Sequence, residues 1–207
     1  MKKVSIIDFK VGNIFSVVQA CKEIGLFVEV TSDYDTILSS DGVILPGVGA
    51  FGDAMLNLEE QNLIITIKDF IRTGKPFMGI CLGLQLLFTQ SEEFGNHKGL
   101  DIIKGSVKKF DNTKDKVPQI GWNKIYKSNI DWKKTPLRNT INNEYMYFVH
   151  SYFVEPCDKD VVLTNTKYLG LEYCSSIKKD NIFATQFHPE KSGKKGLEIY
   201  KNWSKLL

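Results

Sequence analysis

No stretch of this chain comes near the ~20 consecutive apolar residues of a membrane span. The first apolar run, Val4 to Ile7, already contains Ser5 and is closed by Asp8. Met1-Lys2-Lys3 ahead of it resembles the start of a secretory signal, but so short an apolar segment does not make one. Cysteine is sparse, at positions 21, 81, 157 and 174, and no two have the CxxC spacing of a zinc site. Nothing points to an oxidising compartment, so disulfides are not expected and the chain is expected to be cytoplasmic. Six prolines and 16 glycines are too few for a collagen-like or extended disordered segment. An excess of one charge is also lacking: 27 Lys and Arg against 24 Asp and Glu leave +3, too little to draw in a nucleic acid. Residues 104–134 carry nine Lys against three Asp, but with no aromatic platform or groove-reading helix beside them they are read as a solvated face.

Core material is ample. Hydrophobic residues make up 43% of 207, and a chain of this length buries roughly 70% of its unfolded surface without a staple. With no internal repeat and no low-complexity linker, one domain over residues 1–207 is expected. The first half alternates two periodicities. Val4–Phe9, Leu26–Val30, Val43–Leu45 and Phe77–Ile80 read as short, mainly apolar strands. Between them Ile14, Val17, Val18, Cys21 and Ile24, and then Leu63, Ile67, Phe70 and Ile71, recur at helical spacing, stopped by Gly25 and by Gly74-Lys75-Pro76. Leu84, Leu87 and Phe88 open a further helix.

That alternation predicts an α/β fold of three layers, a mostly parallel central sheet with helices on both faces. From Ile102 onward the strand-like segments 107–110, 123–126, 145–154, 161–166, 171–177 and 182–188 predict an antiparallel or mixed extension of the same sheet. A final helix places Leu197, Tyr200, Trp203 and Leu207 on one face.

The sharpest local pattern is Gly79-Ile80-Cys81-Leu82-Gly83, between an apolar strand and a helix. It has the form of a nucleophile elbow with Cys in the reactive place, the glycines letting the backbone turn sharply without clashes. The following helix aims its N-terminus at Cys81, which favours the thiolate. A buried structural Cys is the competing reading; the strand-turn-helix context favours the nucleophile. A thiolate needs a base, and there are three histidines. His97 lies in a polar loop, and His150 follows Tyr147-Phe148-Val149 as a core or pocket-lining residue. His188 ends a strand-like segment in Gln186-Phe187-His188-Pro189-Glu190, with Glu190 placed to accept the second ring N–H. The amide of Leu82 is one candidate oxyanion donor, and Pro46-Gly47-Val48-Gly49 offers a second in Val48 or Gly49, unless it is only a tight turn.

Together PGVG, GICLG and FHPE resemble the class I, or triad, glutamine amidotransferases. Within them, Pro46–Gly52, Gly121-Trp122-Asn123 and Phe187–Gly193 are similar to the glutaminase subunit of imidazole glycerol phosphate synthase (HisH type), and the resemblance runs nearly end to end. It implies the class I fold and a reaction in which Cys81 attacks the side-chain amide of L-glutamine through a thioester. His188 would move the protons and Glu190 would orient His188. It implies that Gln85 and Glu93 bind the amino-acid end of the substrate, beside Ser151 and Tyr152. It places Asn13, Trp122, Tyr147 and Lys191 at a docking face for a (βα)8-barrel cyclase (HisF type). That partner takes the ammonia through a channel and makes imidazole glycerol phosphate and AICAR in histidine biosynthesis. No metal, organic cofactor, nucleic acid or membrane is implied. Two departures from the family pattern, Gln119 where His is usual and Phe9-Lys10-Val11-Gly12 where glycines are usual, are expected near the docking face. A paralogue feeding ammonia to sugar amidation would keep the same catalytic residues, and a stand-alone cysteine hydrolase would use the same triad.

Overall fold

A computed structural model of the chain describes residues 1–10, 12–111, 113 and 116–207. Val11 of the first turn, and Lys114 and Asp115 of the basic stretch, lie outside the described residues.

The strands are β1 (Lys3–Ile7), β2 (Phe27–Thr31), β3 (Gly42–Leu45), β4 (Phe77–Ile80), β5 (Phe88–Ser91), β6 (His97–Lys98) and β7 (Ile103–Lys109), then β8 (Gln119–Lys124), β9 (Tyr126–Lys127), β10 (Tyr145–His150), β11 (Tyr152–Pro156), β12 (Val162–Tyr168), β13 (Leu171–Lys179) and β14 (Ile182–Thr185). The helices are α1 (Ile14–Glu23), α2 (Tyr34–Ser39), α3 (Phe51–Glu60), α4 (Leu63–Arg72), α5 (Leu82–Leu86) and α6 (Gly193–Ser204). The main sheet runs β2-β1-β3-β4-β14-β13-β11-β7-β5-β6, with β12 and β9 joined beside β13. The block β2-β1-β3-β4-β14 is parallel throughout, and from β13 onward the pairing is mostly antiparallel.

The three layers follow from the alternation along each strand. On β3, Val43 and Leu45 pack with Ile37 of α2, Leu58 of α3 and Ile67 and Phe70 of α4. Ile44 between them packs the other way, with Val17 and Cys21 of α1 and Ile199 and Trp203 of α6. Met78 and Ile80 of β4 share that second face, whereas Phe77 joins the first. Strands covered on both sides need apolar residues at every position, which is why β3 and β4 read as continuous runs.

Four expectations are corrected. Phe88 does not extend a helix: α5 ends at Leu86, and fully buried Phe88 opens β5 opposite Ile103. An apolar run as short as Leu84–Phe88 fits either period, and pairing with β7 decides it. The segment 145–154 is two strands broken at Ser151. Its first half, β10, leaves the main sheet to pair with β8 in a separate two-stranded ribbon, so the extension is not one sheet. The strand before His188 stops at Thr185, so Gln186, Phe187 and His188 lead out of the sheet. Leu207 lies past the end of α6, which closes at Ser204.

Candidate active site

The parallel block brings the ends of three strands together. β4 ends in the elbow, β3 in Pro46-Gly47-Val48-Gly49, and β14 in the turn carrying His188, the edge at which open α/β sheets place their sites. Between β4 and α5, Cys81 has φ +54 and ψ −108, a conformation that costs a non-glycine residue about 1–3 kcal/mol. The left-handed φ thus falls on the cysteine and not on either flanking glycine. Those glycines supply room: a Cβ on Gly83 would stand 1.9 Å from the Leu45 carbonyl oxygen, and one on Gly79 would meet the Gly83 oxygen at 2.9 Å. The strained turn is pinned by Cys81 N–H donating to Thr185 O at 2.7 Å, and by Leu84 and Gln85 N–H donating back to Cys81 O.

His188 is buried, and its Nδ1 donates to Glu190 Oε1 at 2.7 Å. Its Nε2 is buried without a hydrogen bond. Burial pulls the imidazole pKa down, but the sulfur of Cys81 and the carboxylate of Glu190 outweigh it and push it up to about 10. An imidazole that holds its proton at neutral pH beside a sulfur can stabilise the anion there and protonate a leaving group. Main-chain bonds fix this base as well: His188 N–H donates to Tyr147 O at 2.9 Å, and Ser192 Oγ donates to His188 O.

Above the sulfur lies a cavity of about 290 Å³ lined by Val48, Gly49, Cys81, Leu82, Gln85, Glu93, Pro118, Val149, His150, Ser151 and Tyr152. Every nucleophile, oxyanion and substrate residue named from the sequence therefore lines one hollow, and the buried His188–Glu190 pair lies beside Cys81. Glu93 Oε2 accepts from Phe51 N–H at 2.7 Å, leaving the other oxygen for a cation, and burial raises its pKa. Gln85 spends its NH2 on Tyr152 O at 3.0 Å and Gln186 Oε1 at 3.1 Å, so only its carbonyl oxygen remains for a ligand. His150 is held neutral, burial pushing its pKa down to about 3. Its Nδ1 donates to Tyr152 O, and its Nε2 faces Tyr173 Oη, which also bonds Gln119 Oε1.

Of the four residues expected at a docking face, three lie together. Trp122 and Tyr147 are direct cross-strand partners on the β8–β10 ribbon, their rings edge to face with centroids 6.1 Å apart, and Lys191 Nζ stands 5.9 Å from the Tyr147 ring. Trp122 is 56% exposed and Ile120 58% on the same outward face. Asn13, exposed at the head of α1, belongs to a helix that packs against the Pro189–Lys191 turn. Gln119, expected near the docking face, is instead buried on the inward side opposite His150, so this departure leaves the outward face unchanged.

Sequence reasoning missed Gln186. It is fully buried, and its Nε2 lies 3.6 Å from Cys81 Sγ. The parallel pairing of Ile80 with Thr185 makes it the neighbour of Cys81, which no single stretch of sequence reveals. Among the described residues no group of His, Cys, Asp or Glu could hold a metal ion, and no helix is long and apolar enough to cross a membrane.

Comparison with known proteins identifies a family and a fold. A family model for class-I glutamine amidotransferase matches residues 5–205. The chain is 45% identical over 207 residues to "Imidazole glycerol phosphate synthase subunit HisH" of Moorella thermoacetica, covering 100% of this chain and 96% of that protein. The protein of the same name from Aquifex aeolicus is 49% identical over 203 residues, covering 97% and 95%. In three dimensions the chain is similar to a solved chain of PurLQS from Thermotoga maritima, with a TM-score of 0.75 at 18% identity and coverage of 99% and 98%, a likeness of fold.

Proposed function

Because this chain belongs to the class-I glutamine amidotransferases, we propose that it is the glutaminase subunit of imidazole glycerol phosphate synthase and works in histidine biosynthesis in the cytoplasm. It acts over residues 1–207 as one amidotransferase domain. The observation that carries the reading is the shared cavity: Cys81, beside the His188–Glu190 pair, and the Glu93 carboxylate line one hollow. An amino acid with an amide at its far end fits that polarity.

The steps follow from the groups in place. Glu93 pairs with the α-ammonium of L-glutamine, helped by the Gln85 carbonyl oxygen, beside Ser151 and Tyr152. Cys81 Sγ attacks the side-chain carbonyl carbon, and the developing oxyanion is met by the Leu82 N–H and by that of Val48 or Gly49. His188 gives its proton to the amide nitrogen, the C–N bond breaks, and ammonia leaves a thioester on Cys81. Water attacks that thioester and loses a proton to His188, and the C–S bond breaks to release glutamate. Glu190 keeps the imidazole in one orientation through both halves. The ammonia is passed to a (βα)8-barrel cyclase docked on the ribbon face, which closes the imidazole ring.

The chain mixed with that cyclase is expected to form imidazole glycerol phosphate from glutamine, and neither protein alone is. Full-rate glutamine hydrolysis by the chain alone would identify a stand-alone hydrolase. The docking face has its own test. Trp122→Ala removes an exposed ring that packs edge to face on Tyr147, so the chain stays folded while the complex loses about 2 kcal/mol, roughly 30-fold in Kd by calorimetric titration. An unchanged Kd would move the docking site elsewhere.

A further inference from the structure

The β4–β14 register sets Gln186 beside the nucleophile, and the hydrogen bonds around it fix which end of its amide faces the sulfur. Tyr152 O is a backbone carbonyl and can only accept, so Gln85 must turn its NH2 toward it. The same Nε2 lies 3.1 Å from the Gln186 amide and requires an acceptor there, which is Oε1. Gln186 is then left with its NH2 facing Cys81 Sγ at 3.6 Å, in a place with no exposure to water.

The sulfur has a second polar neighbour, Val149 O at 3.8 Å. These two contacts select opposite forms: a carbonyl oxygen can bond only an S–H, whereas an N–H bonds a thiolate far better than a thiol. We propose that Gln186 is a catalytic residue whose Nε2–H donates to the Cys81 sulfur, offsetting Val149 O and holding the thiolate. The same donor serves twice in the glutaminase reading on which this rests. It raises the share of attacking anion in thioester formation, and it stabilises the sulfur as it leaves when water breaks the thioester. The other titratable groups around the sulfur are His188 with Glu190 beside it, His150, Tyr152 and Glu93, and the Gln186 side chain bonds none of their side chains, its partners being Gln85 and Cys81.

The test is alkylation of the free chain by iodoacetamide across pH 5–9, needing neither glutamine nor partner. A Cys157→Ser background removes the exposed thiol, while Cys21 and Cys174 are buried with pKa values pushed up to about 12, chiefly by desolvation. Gln186→Met keeps the bulk and removes the donor. It should slow Cys81 alkylation about tenfold at pH 7 and move the midpoint of the profile upward, the two proteins converging in alkali. Gln186→Glu should be slower still at neutral pH. A merely structural role would scale the whole profile without moving its midpoint, and that result overturns the proposal. If the Met variant does not fold, the unmutated side chain reports directly: the Gln186 amide proton resonances should move with ionisation of Cys81 and stop moving in Cys81→Ala. Resonances indifferent to pH would sink the assignment. An unshifted alkylation midpoint beside normal glutamine turnover in the assembled complex refutes Gln186 alone, whereas a shifted midpoint beside an unmutated chain that releases no ammonia from glutamine even with the cyclase refutes the glutaminase reading alone.

Discussion

Cys81→Ala in the assembled enzyme is expected to abolish ring closure from glutamine and to leave ring closure from added ammonium salt at its original rate. Losing a nucleophile costs about 10⁵-fold or more in comparable covalent mechanisms, because the remaining groups can then only orient the substrate. In the proposed division of labour the ring-closing site lies on the partner, so ammonia made elsewhere needs none of those groups. The substitution is also gentle on the fold. Sγ makes two long polar contacts at 3.6 and 3.8 Å, and the main-chain bonds that pin the elbow remain. Parallel assays with the two nitrogen sources decide the matter. Loss of the ammonia-driven rate in a variant complex that still assembles would show that the labour is not divided between the chains as proposed.

Gly83→Ala should do harm of a different kind. A methyl group there would lie 1.9 Å from Leu45 O and 2.9 Å from Leu45 C, inside the backbone of β3. Neither neighbour is a side chain that can swing away, so α5 must lift from the sheet. That costs about 3 kcal/mol, at the upper end for overpacking. In a chain of this size such a loss lowers Tm by roughly 6–12 °C. Because the first turn of α5 carries the Leu82 amide and anchors Cys81, glutamine turnover should fall even at temperatures where the variant is fully folded. A variant that melts and turns over glutamine like its parent would mean that β3 and α5 leave room for a methyl group between them.

Much of this site is legible in the amino-acid sequence because its chemistry is local. An elbow needs five consecutive residues, and the His188–Glu190 pair needs three. The parallel half of the fold is legible for a similar reason: strands buried on both faces must be apolar at every position, and β3 and β4 announce themselves. What escapes the sequence is decided by distant partners. Phe88 is a strand residue because β7 lies beside it. The break at Ser151 exists because His150 and Tyr152 serve different sheets. Gln119 is inward because its opposite number on β10 is His150, whose ring reaches it through Tyr173. The elbow glycines are legible as a pattern, but their reason is not: what Gly79 and Gly83 avoid is backbone contributed by α5 and by β3.

The pairing of Ile80 with Thr185 has a consequence for how the enzyme comes into being. The two strands that hold nucleophile and base are adjacent in space yet 105 residues apart along the chain, with the whole antiparallel half translated between them. A growing chain that has left the ribosome only as far as β13 carries Cys81 but neither Gln186 nor His188. Its thiol has no base, and the β4 edge waits unpaired. Reactivity therefore arrives last, with the final 26 residues, at the moment β14 closes the parallel block. A copy that ends before β14 lacks His188 and Glu190 and is in this way kept from consuming glutamine.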